Sequence, residues 1–575
     1  MPIIQLDEGT INQIAAGEVI ERPASVVKEL IENSLDAGAD KIDVYIVDGG
    51  KKKIVVEDNG TGMNEGDAEK SILRHATSKI KNYHDLFSIC TMGFRGEALS
   101  SVASVSDMTI LTKEEISSAG IKLHVYGGDV KTKSSVAANK GTKISINDIF
   151  FNVPARKKFL KGKNYEQKLI TDIVSRYALI HTKKSFSLRN EDGLIIAKPV
   201  TSSIKENMAS VYGLEVAKES FEVSSGIIKG FIAKPTVNRS TRDYISVYVN
   251  SRYVKCKVVE DALLDAMRTF LFHGRFPIAG LNLSISPKSV DVNVHPSKKV
   301  IKFHDDSQIY QEVFDAVKGG ISASDLFTTA KVKPKQITID DSDSKKDKEI
   351  PKSTDHGKYF KTSDESQSVF IKEKKEVYES DFGFNVVGQI HRTYIIIETE
   401  EGYSIVDQHA AEERINYEKI KKGLEEKKGL EKQSLLNGYM LELNAKDFSR
   451  IMEQGAMLEK FGFVFEEFGK NCIMLREIPA SIELENESLK DTIITLAEKF
   501  SESHRKNFDE KKEESLKYMA CRMSLKAGEE LNPRQMKGLV QLLLKTENKY
   551  TCPHGRPTML KFPLSKIEKD FKRTE

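Results

Sequence analysis

Tryptophan is absent from the 575 residues, so any stacking on a base or a planar ligand falls to tyrosine or phenylalanine. Cysteine is scarce. Cys90, Cys256, Cys472, Cys521 and Cys552 are five in all, an odd number scattered over the chain. That excludes a disulfide framework and points to a reducing intracellular compartment. Charge of one sign is missing as well: 88 Lys+Arg against 85 Asp+Glu leave a net +3, so any nucleic-acid surface must be a local patch. No run approaches the roughly 18 apolar residues of a membrane helix, which excludes a helical membrane span. The opening MPIIQLDEGT has neither a basic stretch nor an apolar core, so no secretory signal is expected. No GxxxxGK[ST] run stands where a nucleotide loop would need it, and no internal repeat is found.

What is present divides into blocks. At about 150 residues per domain the length suggests roughly four domains, or three plus a linker. Hydrophobic content of 39% with 30% charged residues fits globular domains joined by solvated segments. Between 329 and 380, Lys, Asp, Glu and Ser alternate without apolar periodicity, so the sequence predicts a flexible, near-neutral linker there. A second boundary is expected near Lys205. Before it, strands and helices alternate with Gly-rich turns; after it come strand-like segments and a helix around Asp261–Phe270.

The first block carries a nucleotide-like constellation. In PASVVKELIENSLDAG (23–38), Pro23 suits a first helical turn and Gly38 a stop. Val26 with Leu30 and Val27 with Ile31 make an apolar stripe. Glu29 and Asn33 share one helix face at i,i+4. A hairpin follows, with Ile42, Val44 and Ile46 alternating and a return strand ending in Asp58. A carboxylate there, followed by Gly60 and Gly62, can accept a hydrogen bond from an exocyclic amine while a flat ring approaches bare backbone. Gly93, Arg95 and Gly96 could form a phosphate-cradling loop that opens into a helix. Taken singly, each piece also reads as a solvated helix face or an ordinary turn.

In this order and spacing they carry a resemblance. ELIENSLDAGA, DNGTGM, GFRGEALSSVASVS and GTKISINDIFFNVPARKKFL are similar to the four ATP-site motifs of the GHKL ATPases, the superfamily of type II topoisomerases, a heat-shock chaperone and histidine kinases. IAAGEVIERPASVVKELIENSLDAGA, RHATSKI and VDVNVHPSKKVIKF narrow the resemblance to the MutL family of DNA mismatch-repair proteins, almost continuously from residue 1 to about 320. The resemblance implies an ATP-binding α/β sandwich over 1–204. It implies a ribosomal S5-like α/β transducer domain over 205–328, then the linker at 329–380. By the same resemblance Glu29 activates water against the γ-phosphate and Asn33 ligates the Mg that travels with ATP. Asp58 binds the adenine amino group, with Gly62 under the ring and Thr142 supporting that side of the pocket. Gly93, Arg95, Gly96 and Glu97 lie in the lid and phosphate loop, and Lys298 reaches the γ-phosphate from the second domain. That lysine would stabilise charge on the transferring group and couple nucleotide state to domain orientation.

Two basic clusters are candidates for double-stranded DNA: Arg156, Lys157 and Lys158 in ARKKFLKGK, and Arg252 and Lys257 in VNSRYVKCK, the latter read as an alternating segment. Such clusters neutralise phosphates without reading sequence, and they equally form plain solvated faces.

The C-terminal block, expected as one α+β dimerisation and endonuclease domain over 381–575, holds a second constellation. Two strand patterns lead to Asp407, after which His409 and Glu413 stand i,i+4 on one helix face, the spacing of a divalent-metal chelate. Glu418 lies within reach of the same side. Far downstream, CPHGRP offers Cys552 and His554 in a segment read as extended, and Cys521 sits on a predicted helix. Oxygen, nitrogen and sulfur donors together suit zinc and argue against a purely magnesium site. DQHAAEERINYE resembles the DQHA-x2-E-x4-E signature of those MutL proteins whose C-terminal domain nicks DNA, with ACR and CPHGRP as companion motifs. By that resemblance Asp407, His409, Glu413, Cys521, Cys552 and His554 are metal ligands, with Mn as the activating ion and Zn as a structural or regulatory occupant. The family's sliding-clamp peptide has a candidate in Gln433-Ser434-Leu435-Leu436, although Gly438 stands where proline is usual.

These features imply a homodimeric, ATP-driven mismatch-repair endonuclease. It would act with a mismatch-recognition MutS protein and a sliding clamp in a bacterial cytoplasm near the nucleoid, or in the nucleus of a eukaryote. The main rival is an ATP-gated recruiting clamp whose C-terminal metal site is structural. A topoisomerase subunit or a folding chaperone explains the C-terminal motifs less well.

Overall fold

The first domain is organised by one sheet. In the computed structural model, which describes residues 20–79, 92, 96–271, 274–291, 301–323, 383–426, 430–480, 486–501, 508–524 and 529–573, that sheet has eight strands. They are β1 (Lys41–Val47), β2 (Lys53–Asp58), β3 (Asp107–Lys113), β4 (Gly120–Tyr126), β5 (Asp129–Val136), β6 (Gly141–Asn147), β7 (Ser185–Asn190) and β8 (Gly193–Lys198), in the order β5-β4-β3-β6-β2-β1-β7-β8. Only β1 and β7 run parallel. The β1–β2 hairpin has the expected alternation: Ile42, Val44 and Ile46 are buried, and the register sets Ile42 opposite Asp58.

The helix Pro23–Asp36 starts on its proline and buries Val26, Val27, Leu30 and Ile31, each at most 3% exposed. Each such side chain contributes about 1.5–3 kcal/mol by leaving water. Glu29 and Asn33 are thereby held on the other side of a fixed helix. The helix Lys163–Ile180 packs beside it, with Ile170, Val174 and Tyr177 fully buried in the same core.

The second domain is a five-stranded sheet beginning at Ser220, covered by the helices Lys257–Met267 and Asp306–Ala323. The boundary was expected near Lys205, 15 residues before that first strand. The helix Ile204–Tyr212 buries Met208, Val211 and Tyr212 in the first core, because its apolar face meets the Lys163–Ile180 helix.

The C-terminal block holds two cores. A four-stranded sheet joins Phe384–Ile390, Tyr394–Thr399, Gly402–Asp407 and Met559–Pro563 in that order. It packs on the helices Gln408–Glu425 and Pro533–Leu544. Between them in sequence stands a second unit, a three-stranded sheet of Lys432–Glu442, Cys472–Pro479 and Val464–Glu467. Its core takes in the helices Ala445–Glu453, Asn486–Ser501 and Phe508–Arg522. The linker expected at 329–380 lies outside the described residues.

Candidate functional site

The hairpin end and the first helix converge on Asp58. Its Oδ2 accepts from Ser34 Oγ at 2.7 Å, and its Oδ1 from the Gly60 amide at 2.9 Å and the Thr142 amide at 3.3 Å. Burial pushes the Asp58 carboxyl up, and these three donors pull against it. Gly62 has φ +72°, and a Cβ there would stand 2.0 Å from the Lys113 carbonyl oxygen, so only glycine fits. Thr142 Oγ1 lies 3.0 Å from Thr112 Oγ1, which also receives the Met63 amide at 2.9 Å. The predicted Asp58, Gly62 and Thr142 are therefore adjacent, on the ends of β2 and β6.

On the helix, the Lys28 ammonium stands 3.0 Å from Glu29 and 2.9 Å from Glu32. Burial works against its charge, but Glu32 and then Glu29 outweigh it, and the Lys28 pKa lies above the ordinary lysine value. Tyr177 donates to Glu32 at 2.5 Å, which ties this triad to the Lys163–Ile180 helix. Asn33 Oδ1 accepts from Lys79 Nζ at 2.9 Å, and the same amine meets Asp36 at 2.6 Å. Asp36 Oδ1 in turn accepts the Met92 amide at 2.8 Å. Gly96, with φ +62°, approaches Ala76 so closely that a Cβ would lie 2.4 Å from its carbonyl oxygen. Gly93, Arg95 and Lys298 lie outside the described residues. Sequence reasoning missed Ser34, Lys79 and Thr112 as partners; Lys79 stood within the quoted RHATSKI string, where its lysine was the one signal on offer.

The C-terminal constellation assembles around Glu413, which is 4% exposed. His409 Nε2 is 3.4 Å from Glu413 Oε1, and His554 Nδ1 is 3.3 Å from Glu413 Oε2. Donor atoms of His409, Glu413 and Cys521 lie within 4.8 Å of one another, as do those of Glu413, Cys552 and His554. Burial opposes the charge of Glu413, but hydrogen bonds from His409 and Cys521 and the nearby His554 prevail and bring its carboxyl down to about 2. Four side chains from three separate stretches thus gather round the Glu413 carboxylate.

Two expectations need correcting here, on Cys552 with His554 and on Glu418, and Asp407 has a structural role besides. Cys552 and His554 sit on a turn rather than an extended segment: the Gly555 amide donates to the Cys552 carbonyl at 2.9 Å, and this turn aims both side chains at Glu413. Asp407 stands at the helix N-terminus, outside the two donor groups found among the described residues. Its Oδ1 caps the helix by accepting the Ala410 amide at 2.9 Å, and its own amide donates to Thr558. Glu418 faces away to hold a loop, accepting the Glu547 and Asn548 amides at 2.9 and 3.1 Å.

The basic clusters separate. Lys157 and Lys158 are exposed on the short helix Pro154–Phe159, while Arg156 is half-buried with its guanidinium 5.9 Å from the Phe150 ring centroid. Arg252 is buried at 7%, so it is no solvent-facing phosphate contact in this conformation. Lys257 is exposed and opens a helix instead of continuing a strand. Gln433–Leu436 lies inside the strand Lys432–Glu442, at a register break between Ser434 and Tyr439 that leaves Leu436 fully exposed.

A sheet-and-helix domain of this kind, with a buried carboxylate at the end of a central strand, defines the first third of the chain as an ATPase domain of the GHKL class. Residues 20–149 match the histidine kinase-, DNA gyrase B- and HSP90-like ATPase family. Residues 208–322 match the C-terminal domain of DNA mismatch repair proteins, and 387–531 the MutL C-terminal dimerisation domain. DNA mismatch repair protein MutL of Thermoanaerobacter pseudethanolicus is 38% identical, over 99% of each chain. The MutL proteins of Clostridium acetobutylicum and Listeria monocytogenes are 35% identical over 100% of each chain and 36% identical over 99% of each. The chain belongs to the MutL family of DNA mismatch repair proteins.

Proposed function

We propose that this chain is a mismatch-repair endonuclease in which an N-terminal ATPase governs a C-terminal, metal-dependent nicking site. The observation that carries the reading is the five-residue N/O/S cluster on Glu413. Its donor set suits zinc better than magnesium alone, because thiolates are soft ligands, while manganese is the activating ion that the family resemblance implies. His409, Glu413, Cys521, Cys552 and His554 would hold the ion, with Asp407 close by at the helix N-terminus. A divalent metal so held supplies a water of lowered pKa and offsets charge on the phosphodiester oxygens. The chain's own contribution is positioning: the turn at Cys552–Gly555 and the helix face at His409 and Glu413 fix where that chemistry happens.

At the N-terminal site Glu29 would take the proton of the attacking water, with Lys28 holding its carboxylate in place. Asp58, backed by Ser34, would receive the adenine amine. Asn33 would ligate magnesium once Lys79 has moved from its Oδ1. Lys157, Lys158 and Lys257 offer exposed charge to the DNA backbone. The outer face of the four-stranded sheet presents Ile396, Ile405 and Leu560 in one cross-strand row beside the stacked Tyr403 and Phe562, a surface suited to a second copy of the chain. MutS and a sliding clamp are the partners this role requires; Leu436, bare at the strand break, is the side chain a clamp would take.

The test is nicking of closed circular plasmid in Mn, with the natural chain compared with Glu413→Gln and Asp407→Asn. Nicking by the natural chain and loss of at least about 100-fold in Glu413→Gln, with ATP hydrolysis retained, is the expected result. Bound zinc with no nicking, in the presence of clamp and MutS, would instead support the recruiting-clamp reading.

A further inference from the structure

The helix Ala445–Glu453 of the C-terminal block lies against the ATPase and transducer domains, and its charged face is matched there residue by residue. Lys446 meets Asp172 at 3.2 Å and donates to the Asp243 carbonyl at 2.8 Å. Asp447 meets Arg239 at 3.3 Å and accepts from Tyr244. Arg450 meets Asp243 at 2.8 Å, and Glu453 meets Lys168 at 2.8 Å. From the neighbouring helix Asn486–Ser501, Glu498 accepts both the amide and the hydroxyl of Ser240, at 2.8 and 2.7 Å. Lys446, Asp447, Arg450 and Glu498 are each at most 2% exposed. Along one helix face the signs run plus, minus, plus, minus, and each sign finds its opposite across the contact.

Buried charges left without partners would cost several kcal/mol each, so an accidental contact between two surfaces does not bury an alternating row in register. The partners also divide between two bodies. Lys168, Thr171 and Asp172 belong to the helix Lys163–Ile180 of the ATPase domain, which is tied through Tyr177 and Glu32 to the helix of Glu29. Arg239, Ser240, Asp243 and Tyr244 lie in the transducer domain, just after the second strand of its sheet. The docked helix therefore spans the seam between the domains. The seam has its own clasp, since Arg176 donates to Asp243 O at 3.0 Å and Ser246 Oγ at 3.2 Å.

We propose that the C-terminal block docks on its own chain through the Ala445–Glu453 helix, and that docking holds the ATPase and transducer domains in one orientation, slowing ATP turnover until it releases. Because the contact is polar and ionic, it is reversible in the way polar interdomain contacts are. The effect on turnover rests on the proposed function, in which the transducer must move relative to the nucleotide; the docking itself does not.

Ser449 Oγ lies 3.5 Å from Thr171 Oγ1, both buried, so cysteines at these two short side chains are within disulfide reach only when docked. The experiment uses the full chain carrying Thr171→Cys and Ser449→Cys, oxidised and then reduced, with each single variant as control for the native thiols. The expected result is a cross-link within one chain, with ATP turnover at least about fivefold lower oxidised than reduced. Adding Asp172→Lys should abolish the cross-link by repelling Lys446, and Lys446→Asp on top should restore it, which separates undocking from misfolding. No cross-link, a cross-link only between chains, or equal turnover in the two redox states would overturn the proposal. If the reduced protein hydrolyses no ATP at all, the functional reading fails, while the cross-link still decides the docking.

Discussion

Glu29 sits at the edge of a buried ionic triad. Lys28, shared between Glu29 and Glu32, keeps the carboxylate from swinging freely, as the proposed proton transfer from the attacking water would need. Glu29→Gln should therefore lower kcat for ATP hydrolysis by about 100- to 10,000-fold while nucleotide affinity, read by calorimetry, changes little. An unchanged kcat would remove Glu29 from the chemistry. At this scale the sequence was readable where spacing alone decides: Glu29 and Asn33 by helical period, Asp58 by its place at a strand end. It was silent on Ser34 and Thr112, whose contacts are made across the fold. It did not show that Asp407 caps the helix with Oδ1, because a capping carboxylate at a strand end looks the same in sequence as any other.

Elements show the same division. The β1–β2 hairpin was legible because its alternating burial follows from a sheet covered on one face. The Lys257–Met267 helix was read too late because Val254 and Cys256 are buried and Lys255 and Lys257 exposed, so a period of two persists up to the first helical residue. The end of the Lys163–Ile180 helix carries a liability. His181 caps it, is buried against Lys184 and Lys198, and has an Nε2 without a hydrogen-bond partner. Burial first, then those two cations, bring its pKa from 6.5 to about 4. The unfolded chain thus binds a proton that the folded chain refuses. Stability is full above about pH 6.5 and falls as pH drops toward 4, by on the order of 3 kcal/mol. Urea midpoints measured from pH 7 to pH 4 should show that decline, and His181→Leu should flatten it; an equal slope in both proteins would clear His181 of the effect.

For the whole molecule, two surfaces compete for attention, one apolar and one ionic. The apolar row Ile396, Ile405 and Leu560 faces outward from the four-stranded sheet; Ile396 and Ile405 lie within the matched dimerisation domain, and Leu560 on the strand that completes its sheet. Ile405→Glu should convert a dimer to a monomer by light scattering, with the far-UV spectrum unchanged; a persisting dimer would move the interface elsewhere. The ionic surface on the Ala445–Glu453 helix was invisible in the sequence, because a run such as AKDFSRIME reads as an ordinary solvated helix until its partners, more than 200 positions upstream, are brought to it. The two-core C-terminal block was hidden for a related reason: its first sheet is completed by a strand that returns after the entire second unit.

That returning strand sets an order on biosynthesis. Met559–Pro563 closes the sheet on Gly402–Asp407, and the Cys552–Gly555 turn that faces Glu413 immediately precedes it. A nascent chain still on the ribosome carries His409 and Glu413 long before it can supply Cys552 and His554. The cluster can assemble only after the whole intervening unit has emerged, so a stalled or prematurely ended polypeptide would hold the ATP pocket without the completed Glu413 cluster.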